Sequence, residues 1–312
     1  MATEQPSVAV SRARSSGTVR MRELQATLIS LLYLLPSLIA FAIFVFYPVI
    51  KSVWISLHAD NPFGGTSDIY VGLDQYKNAL TSDSYRNSLK ITVLYTLYTV
   101  PIGLAVALLL AVMANLRLRA ISVYRVAFAI TIGVSVGAGA VIFALLYNPS
   151  VGMLNYLLSR IGLPPVQWLT HTNSALWAIA IGTIWLGLGF NFTILLSGLQ
   201  GIPEELYESA KIDGASPARM FGSVTLPLLS PTLFFVSVIS VIAAFQSFAQ
   251  IDVLTKGGPA GSTNVVVYSI YRDAFFNFHS AYASAQAVIL FIILVALTGI
   301  QFKSLGGRVF YQ

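Results

Sequence analysis

The sequence predicts an all-α polytopic membrane protein with six transmembrane helices and both termini in the cytoplasm. The first observation is composition. The chain has 312 residues, 56% hydrophobic and 10% charged, where soluble domains average about 25% charged. The second is where charge is missing. Leu24–Ile50, Ile91–Leu116, Val126–Ser159, Ile161–Pro203, Met220–Ile251 and Ala274–Phe302 hold no Asp, Glu, Lys or Arg. A mid-membrane charge costs about 2.5–3.5 kcal/mol on insertion scales, so clean windows of this length mark spans. The third is the sorting of Lys and Arg. Eleven lie in the N-terminal segment, the 114–125 loop, the 201–228 loop and the C-terminus; seven lie in the other, longer loops. The richer side is read as cytoplasmic.

Residues 1–23 are rich in Ser and Arg without apolar periodicity, which predicts a flexible cytoplasmic tail. The membrane domain then covers 24–312. Trimmed to their apolar parts, the spans fall near 27–49, 90–113, 122–147, 175–199, 229–253 and 283–303. The first apolar run is too long for a signal-peptide core and Tyr47-Pro48-Val49 does not resemble a cleavage site, so it is read as an uncleaved span. Asn148-Pro149 and Pro164-Pro165 interrupt the third and fourth windows and predict a loop over 148–174. Pro101 and Pro231 are expected to kink or start helices. The 51–89 loop contains the turn Asn61-Pro62-Phe63-Gly64-Gly65 and has room for a short strand or helix.

Several function classes fall away. Cysteine is absent, which excludes thiolate catalysis and Cys metal sites. His58, His171 and His279 are scattered without metal-ligand spacing, and no metal site is expected. The net charge of +6 follows loop sidedness and does not indicate nucleic acid. A membrane enzyme lacks a credible set of groups, and an ion-driven secondary transporter lacks ionisable residues in its spans.

The 201–228 loop carries Glu204, Glu205, Glu208, Lys211, Asp213 and Arg219 between two charge-free runs. Pro203 fits a first helical position, with two Glu in the favourable first turn. Leu206, Tyr207 and Ala210 form an apolar stripe. Gly214 suits a left-handed helix stop. Ser216 suits an N-cap followed by Pro217, with Met220, Phe221 and Val224 on one face. Leu226-Pro227 is expected to end the unit. These features describe either an ordinary amphipathic loop or a docking device.

The spacing Glu208-Ser209-Ala210, Gly214, Val224, Leu226-Pro227 resembles the "EAA" loop of ABC-importer permeases, with Ser209 as a small departure. From about Leu31 onward the chain is similar to the carbohydrate-uptake, maltose-importer-like branch. Asn61-Pro62-Phe63-Gly64, Val71-Gly72-Leu73-Asp74, Ile251-Asp252 ahead of Gly257-Gly258-Pro259, Ile270-Tyr271-Arg272, Ala285-Gln286 and Arg308-Val309-Phe310-Tyr311-Gln312 resemble the first permease subunit of glycerol-3-phosphate/glycerophosphodiester importers. Many relatives carry Phe-Asp where this chain has Phe248-Ala249.

The resemblance implies a type I ABC-importer permease fold in a bacterial inner membrane. It implies a homologous second permease, two ATP-binding subunits and an extracytoplasmic solute-binding protein as partners. ATP and Mg would be used by the partner ATPase, since this chain lacks a phosphate-binding Gly-x-x-x-x-Gly-Lys-Ser/Thr loop. Glu208, Ala210, Asp213, Gly214, Ala215, Ser216, Arg219, Phe221 and Pro227 are the expected coupling residues, Gly214 to Phe221 entering the ATPase. The expected cargo is a sugar or glycerol-phosphate-type solute, with a neutral di- or oligosaccharide as the alternative.

A polar solute needs hydrogen-bonding groups at membrane depth. At about 100° per residue, Ser240, Gln246, Ser247 and Gln250 share an arc of roughly 120°. They read equally as a solute pathway or as helix–helix hydrogen bonding. Asp252 lies off that arc. Asn191, Thr193 and Ser197 in the fourth span and Thr92, Tyr95, Thr96 and Thr99 in the second are further candidates. Tyr95, Tyr98, Trp185 and Phe245 could stack on a sugar face, although an interfacial or packing role is the expectation for each alone; Gly133, Gly137 and Gly139 are expected to allow close helix contact.

Overall fold

The computed structural model describes residues 30–61, 65–116 and 119–305. The expected tail, the 62–64 part of the turn, Arg117 and the run Arg308–Gln312 lie outside the described residues. Contacts divide the chain into two units, one ending at Ser52 and one starting at Val53.

Helix α1 runs Ser30–Ser56 and widens to a π-turn over Ala42–Phe46. Pro48 follows two residues later. A proline has no N–H for the carbonyl four residues back, and its ring crowds that carbonyl. The wider turn accommodates both, as π-bulges do.

In the second unit the end of α1 leads into an antiparallel hairpin, β1 (His58–Asp60) and β2 (Thr66–Tyr70), pairing His58 with Tyr70 and Asp60 with Thr66. Helix α2 (Asp74–Thr81) follows, and Gln75 donates to the His58 carbonyl at 3.3 Å. Helix α3 (Asp83–Ala114) is capped by Ser82. It starts seven residues before the expected span and carries Pro101 without a break.

The third span differs most from expectation. Helix α4 with its terminal 3-10 turn covers Ile121–Gly133, helix α5 covers Val136–Leu146, and the two axes differ by 103°. Val134 and Ser135 are extended, and Ser135 caps α5 by accepting from the Ala138 N–H. An apolar run of this length satisfies the span rule whether straight or broken; Ser135 as a cap and Gly133 before it were the local signs. A short helix α6 (Met153–Arg160) lies within the expected loop. Helix α7 (Thr172–Gln200) begins at His171, whose Nδ1 accepts from the Asn173 N–H.

Helix α8 (Glu204–Ile212) starts one residue later than expected, with Pro203 as its N-cap. Helix α9 runs unbroken from Pro217 to Phe245. Leu226-Pro227 therefore does not end the loop unit. A second π-turn, Phe221–Thr225, precedes Pro227 as the first precedes Pro48, so the helix passes the proline intact. The break comes instead at Gln246–Phe248, before helix α10 (Ala249–Leu254). Helices α11 (Val266–Phe275) and α12 (Ser280–Leu305) complete the chain. Among the described residues, five helices are long and apolar enough to cross a membrane, or six if the bent pair is one span.

The core lies along α3, α7 and α9. Ala107, Ala111 and Ala114 are fully or almost fully buried on one face of α3, against Phe192, Leu195 and Leu199 of α7 and Leu229 of α9. Small residues at this spacing let apolar helices approach when lipid leaves no hydrophobic drive between them. Glycines extend the device. A Cβ on Gly139 would stand 2.5 Å from Leu186, and one on Gly198 2.6 Å from Thr232. Gly133 and Gly137 have open space instead, and among the described residues of this chain nothing packs against them as expected. At the hairpin end, the Asp60 carboxylate accepts from the backbone N–H of Ala281 at 2.6 Å and Tyr282 at 3.4 Å, capping α12 from 221 residues away. At the opposite end, Arg125 donates from Nε and Nη2 to the Ala114 carbonyl at 3.1 and 2.9 Å, closing the C-terminus of α3.

Candidate functional site

Two adjoining cavities of about 140 and 640 Å³ lie between α3, α7, α9, α10 and the α4–α5 bend. They share Thr183, Gly187, Phe190 and Ala243. Asn191 and Ser240 line the smaller; Gln246, Ser247 and Gln250 line the larger. Five candidates thus meet around one space, though not for the reason periodicity gave. Ser240 is on α9, Gln246 ends it, Ser247 lies in the break and Gln250 belongs to α10. The single-helix arc stops at Phe245; the break turns the later residues onto the same cavity.

Tyr95 does not line either cavity. It is fully buried, with its hydroxyl 2.7 Å from Thr183 Oγ1 and 3.1 Å from Ser247 Oγ. Asp252 is also away from the lining. It faces α11, where burial, and then the Asp252 charge, push the Tyr268 phenol up against the opposing effect of Arg272. Thr99 lines the smaller cavity. Thr92 instead accepts from the Val266 N–H at 2.9 Å and fixes α11 to α3. Thr193 and Ser197 are exposed on the other side of α7. Tyr98 stacks on Trp177 at 3.9 Å, Trp185 meets Phe143 edge-on at 5.7 Å, and Phe245 lies in the core.

The lining that sequence reasoning missed comes from the bend and from α7. Thr131, in the terminal turn of α4, accepts from the Gly189 N–H at 2.8 Å. A Cβ on Gly189 would stand 2.5 Å from that hydroxyl, so the glycine admits the bend. Thr183 and Gly187 lie one turn apart on α7 and face inward. Their polar and small side chains within an apolar window were the available signal.

The 201–228 loop folds as two helices around a glycine corner. Gly214 has φ +75°. The Gly214 N–H donates to the Lys211 carbonyl at 3.0 Å and the Ala215 N–H to the Ala210 carbonyl at 2.9 Å. That pair of bonds is a Schellman cap. Asp213 is the C-cap of α8, and Ser216 caps α9 by accepting from the Arg219 N–H at 3.4 Å. Glu208, Asp213, Gly214, Ser216 and Arg219 are exposed; Ala210, Ala215, Phe221 and Pro227 are half-buried. Tyr207 and Thr225 join α8 to the π-turn through their hydroxyls, 3.1 Å apart. Beneath the corner, a cavity of about 230 Å³ is bounded by Tyr207, Pro217, Met220, Phe221 and the ends of α3 and α7. Ile212, at 87% exposure, is an apolar side chain presented beside the corner. It had no place in the expected apolar stripe.

The family model described as "Binding-protein-dependent transport system inner membrane component" matches residues 17–311. The chain belongs to that family. It is a multi-pass membrane permease of such systems. Among curated relatives, the sn-glycerol-3-phosphate transport system permease protein UgpA of Agrobacterium fabrum is 36% identical over 279 residues, 88% of this chain and 94% of the relative. The protein of that name from Yersinia pestis is 34% identical, over 90% of this chain and 95% of its own length. Among solved structures, a chain of a bacterial ABC transporter for import of the acidic polysaccharide alginate superposes with a TM-score of 0.81 at 23% identity. The match covers 91% of this chain and 97% of that one, and it establishes a common fold. A second structure of the alginate transporter, in complex with a pentasaccharide-bound periplasmic protein, gives 0.79 over 90% of this chain and 94% of its own.

Proposed function

We propose that this permease forms one half of the translocation path of an ATP-driven importer for sn-glycerol-3-phosphate or a closely related glycerophosphodiester. The path runs through the paired cavities, with Asn191, Ser240, Gln246, Ser247 and Gln250 as its polar wall. Six segments cross the bacterial inner membrane, the α4–α5 pair serving as the third. Both termini and the 201–228 loop face the cytoplasm. A homologous second permease completes the path, two ATP-binding subunits use ATP and Mg, and an extracytoplasmic binding protein delivers the solute. Gly214 to Phe221, with Ile212 beside them, dock on the ATPase.

The observation that carries this reading is the continuity of α9. One helix begins in the loop at Pro217 and ends at Phe245, next to Gln246 and Ser247 on the cavity wall. At 1.5 Å per residue, an intact helix transmits a push on its first turn to its last. ATP-driven closure of the partner subunits thereby reaches the α9–α10 break and reorients the wall, giving alternating access.

A second cargo, a neutral di- or oligosaccharide, is favoured by one observation: among the described residues, those lining the two cavities are all uncharged. A phosphate usually has Arg or helix N-termini near it. The test is reconstitution of the whole complex with its binding protein and measurement of ligand-stimulated ATP hydrolysis. sn-Glycerol-3-phosphate, glycerophosphocholine and a panel of oligosaccharides are compared. Stimulation by neutral sugars alone refutes the glycerol-phosphate assignment. Uptake by this chain alone, driven by an ion gradient without ATP, refutes the importer.

A further inference from the structure

Helix α6 carries apolar side chains on two opposite faces. Leu154, Asn155 and Leu158 turn inward. Leu154 packs against the cluster of Phe143, Tyr147 and Ala178. Asn155 ties the helix to the segment before α7. Its Oδ1 accepts from the Val166 N–H at 3.1 Å and from Trp168 Nε1 at 2.9 Å, and its Nδ2 donates to the Val166 carbonyl at 3.1 Å. The other face holds Met153, Tyr156, Leu157 and Arg160, all exposed, within an arc of roughly 100°. Val151 before the helix is 81% exposed and Ile161 after it 71%. With eight residues α6 is about 12 Å long, too short for a hydrocarbon core of about 30 Å. Helix α7 is long and apolar enough to cross, and runs from Thr172 to Gln200 at the 201–228 loop. Since α6 is fixed to residues 166–168, it lies at the membrane edge opposite that loop. Arg160 is the only Asp, Glu, Lys or Arg between Arg125 and Glu204. Its Nε and Nη2 donate to the Tyr156 hydroxyl at 3.0 and 2.6 Å, and its Cζ stands 5.1 Å from the centre of that ring. Among the described residues, the other guanidinium N–H groups have no partner, and the Tyr156 hydroxyl keeps its own hydrogen to donate.

We propose that α6 is an interfacial helix whose outer face lies in lipid and whose Arg160–Tyr156 pair holds the phosphate of an anionic phospholipid. A short helix with a large apolar face and a basic residue at its edge settles along the boundary between headgroups and acyl chains. Met153, Leu157 and Ile161 would enter the acyl region. Arg160 reaches the headgroup level, as long basic side chains at membrane edges do, and the Tyr156 ring belongs to the same boundary layer. The apolar surface continues along the chain from Val141, Ile142 and Leu145, which are exposed on α5. Charge favours the same occupant. No carboxylate accompanies Arg160 in this part of the chain, so its attraction for an anion is unspent. The guanidinium, held by Tyr156, and the phenolic O–H together offer donors to phosphate oxygens. The inference rests on the membrane location of the chain and not on the identity of the solute.

The chain holds no cysteine, so Leu157→Cys carries its only thiol. The thiol is labelled with bimane, and the complete complex is then assembled in phosphatidylcholine vesicles. Two quenchers are compared: iodide in the water, and phospholipid with a nitroxide on the acyl chain next to the headgroup. The lipid nitroxide is expected to quench strongly and iodide weakly. Quenching by iodide as strong as by lipid, or stronger, overturns the lipid contact. Quenching by neither shows that another subunit covers the face, and overturns it too. Phosphatidylglycerol and phosphatidylcholine bearing the same nitroxide chain are then titrated. Half-quenching is expected at an about 5-fold lower fraction of phosphatidylglycerol, the attraction of one basic residue for an anionic membrane surface. Arg160→Gln is expected to equalise the two lipids, and Arg160→Lys to keep most of the difference. Equal titrations with Arg160 in place, or a preference that survives Arg160→Gln, overturn the phosphate site. Loss of the preference on adding inorganic phosphate at constant ionic strength assigns the pair to free phosphate and overturns the lipid assignment. Should Leu157→Cys not assemble, Met153→Cys on the same face repeats every arm.

Discussion

Gly214 offers a graded perturbation of the loop. Its φ of +75° lies in the left-handed region, and an added Cβ would meet nothing within 4 Å. The cost of a side chain is therefore one of backbone conformation and not of space. For an L-residue that cost is about 1–2 kcal/mol. Asn tolerates the region better than Ala, and β-branched Val worse. Pro is worst, because it fixes φ near −65° and removes the N–H that donates to the Lys211 carbonyl at 3.0 Å. If the corner must be formed to dock, the apparent dissociation constant rises as the formed fraction falls. Gly214→Ala is then expected to weaken binding of the ATP-binding subunit by about 5- to 30-fold, with ten-fold per 1.4 kcal/mol. Gly214→Asn is expected to weaken it less, Gly214→Val more, and Gly214→Pro to abolish it. Titration of purified permease with the ATP-binding subunit reads the series. Thermal unfolding of the permease alone, expected to shift little, separates docking from folding. Equal affinities for the Ala, Val and Pro variants would refute the reasoning, because the corner would then not be part of the docking geometry.

Three further outcomes are expected. Gly189→Ala forces a Cβ to 2.5 Å from Thr131 Oγ1 and 3.0 Å from the Ala129 carbonyl; backbone cannot yield easily, so a loss of about 1–3 kcal/mol is expected. Gly187→Ala, whose nearest neighbour is Asn191 Nδ2 at 4.0 Å, is the tolerated control in the same thermal-unfolding assay. Asp60→Ala removes the acceptor for the first turn of α12 and should cost about 0.5–2 kcal/mol, as loss of an N-cap does, with Asp60→Asn in between. Tyr207→Phe breaks the link to Thr225 and should lower solute moved per ATP while preserving docking affinity, since the Schellman corner is untouched.

The sequence by itself determined that this is a helical membrane protein, because charge-free windows of span length have one physical use. It also determined the loop at near-residue detail. The Gly214 corner, the Ser216 cap and Pro217 at the first helical position follow from local backbone chemistry. The resemblance carried by the Glu208–Pro227 spacing led to the family. Tertiary structure decided where helices break. The stretches 122–147 and 229–253 are apolar enough to be read as single rods, and hydropathy is blind to a bend within apolar surroundings. The bend over Thr131–Ser135 exists because Gly189 on a distant helix leaves room and supplies an N–H. Pro227 leaves its helix intact because a π-turn precedes it, a matter of geometry that composition does not encode. Tyr95 shows the same limit from the other side: its residue type suited a wall, but packing of α3 against α7 put its hydroxyl behind that wall, where neighbours 88 and 152 residues away meet it.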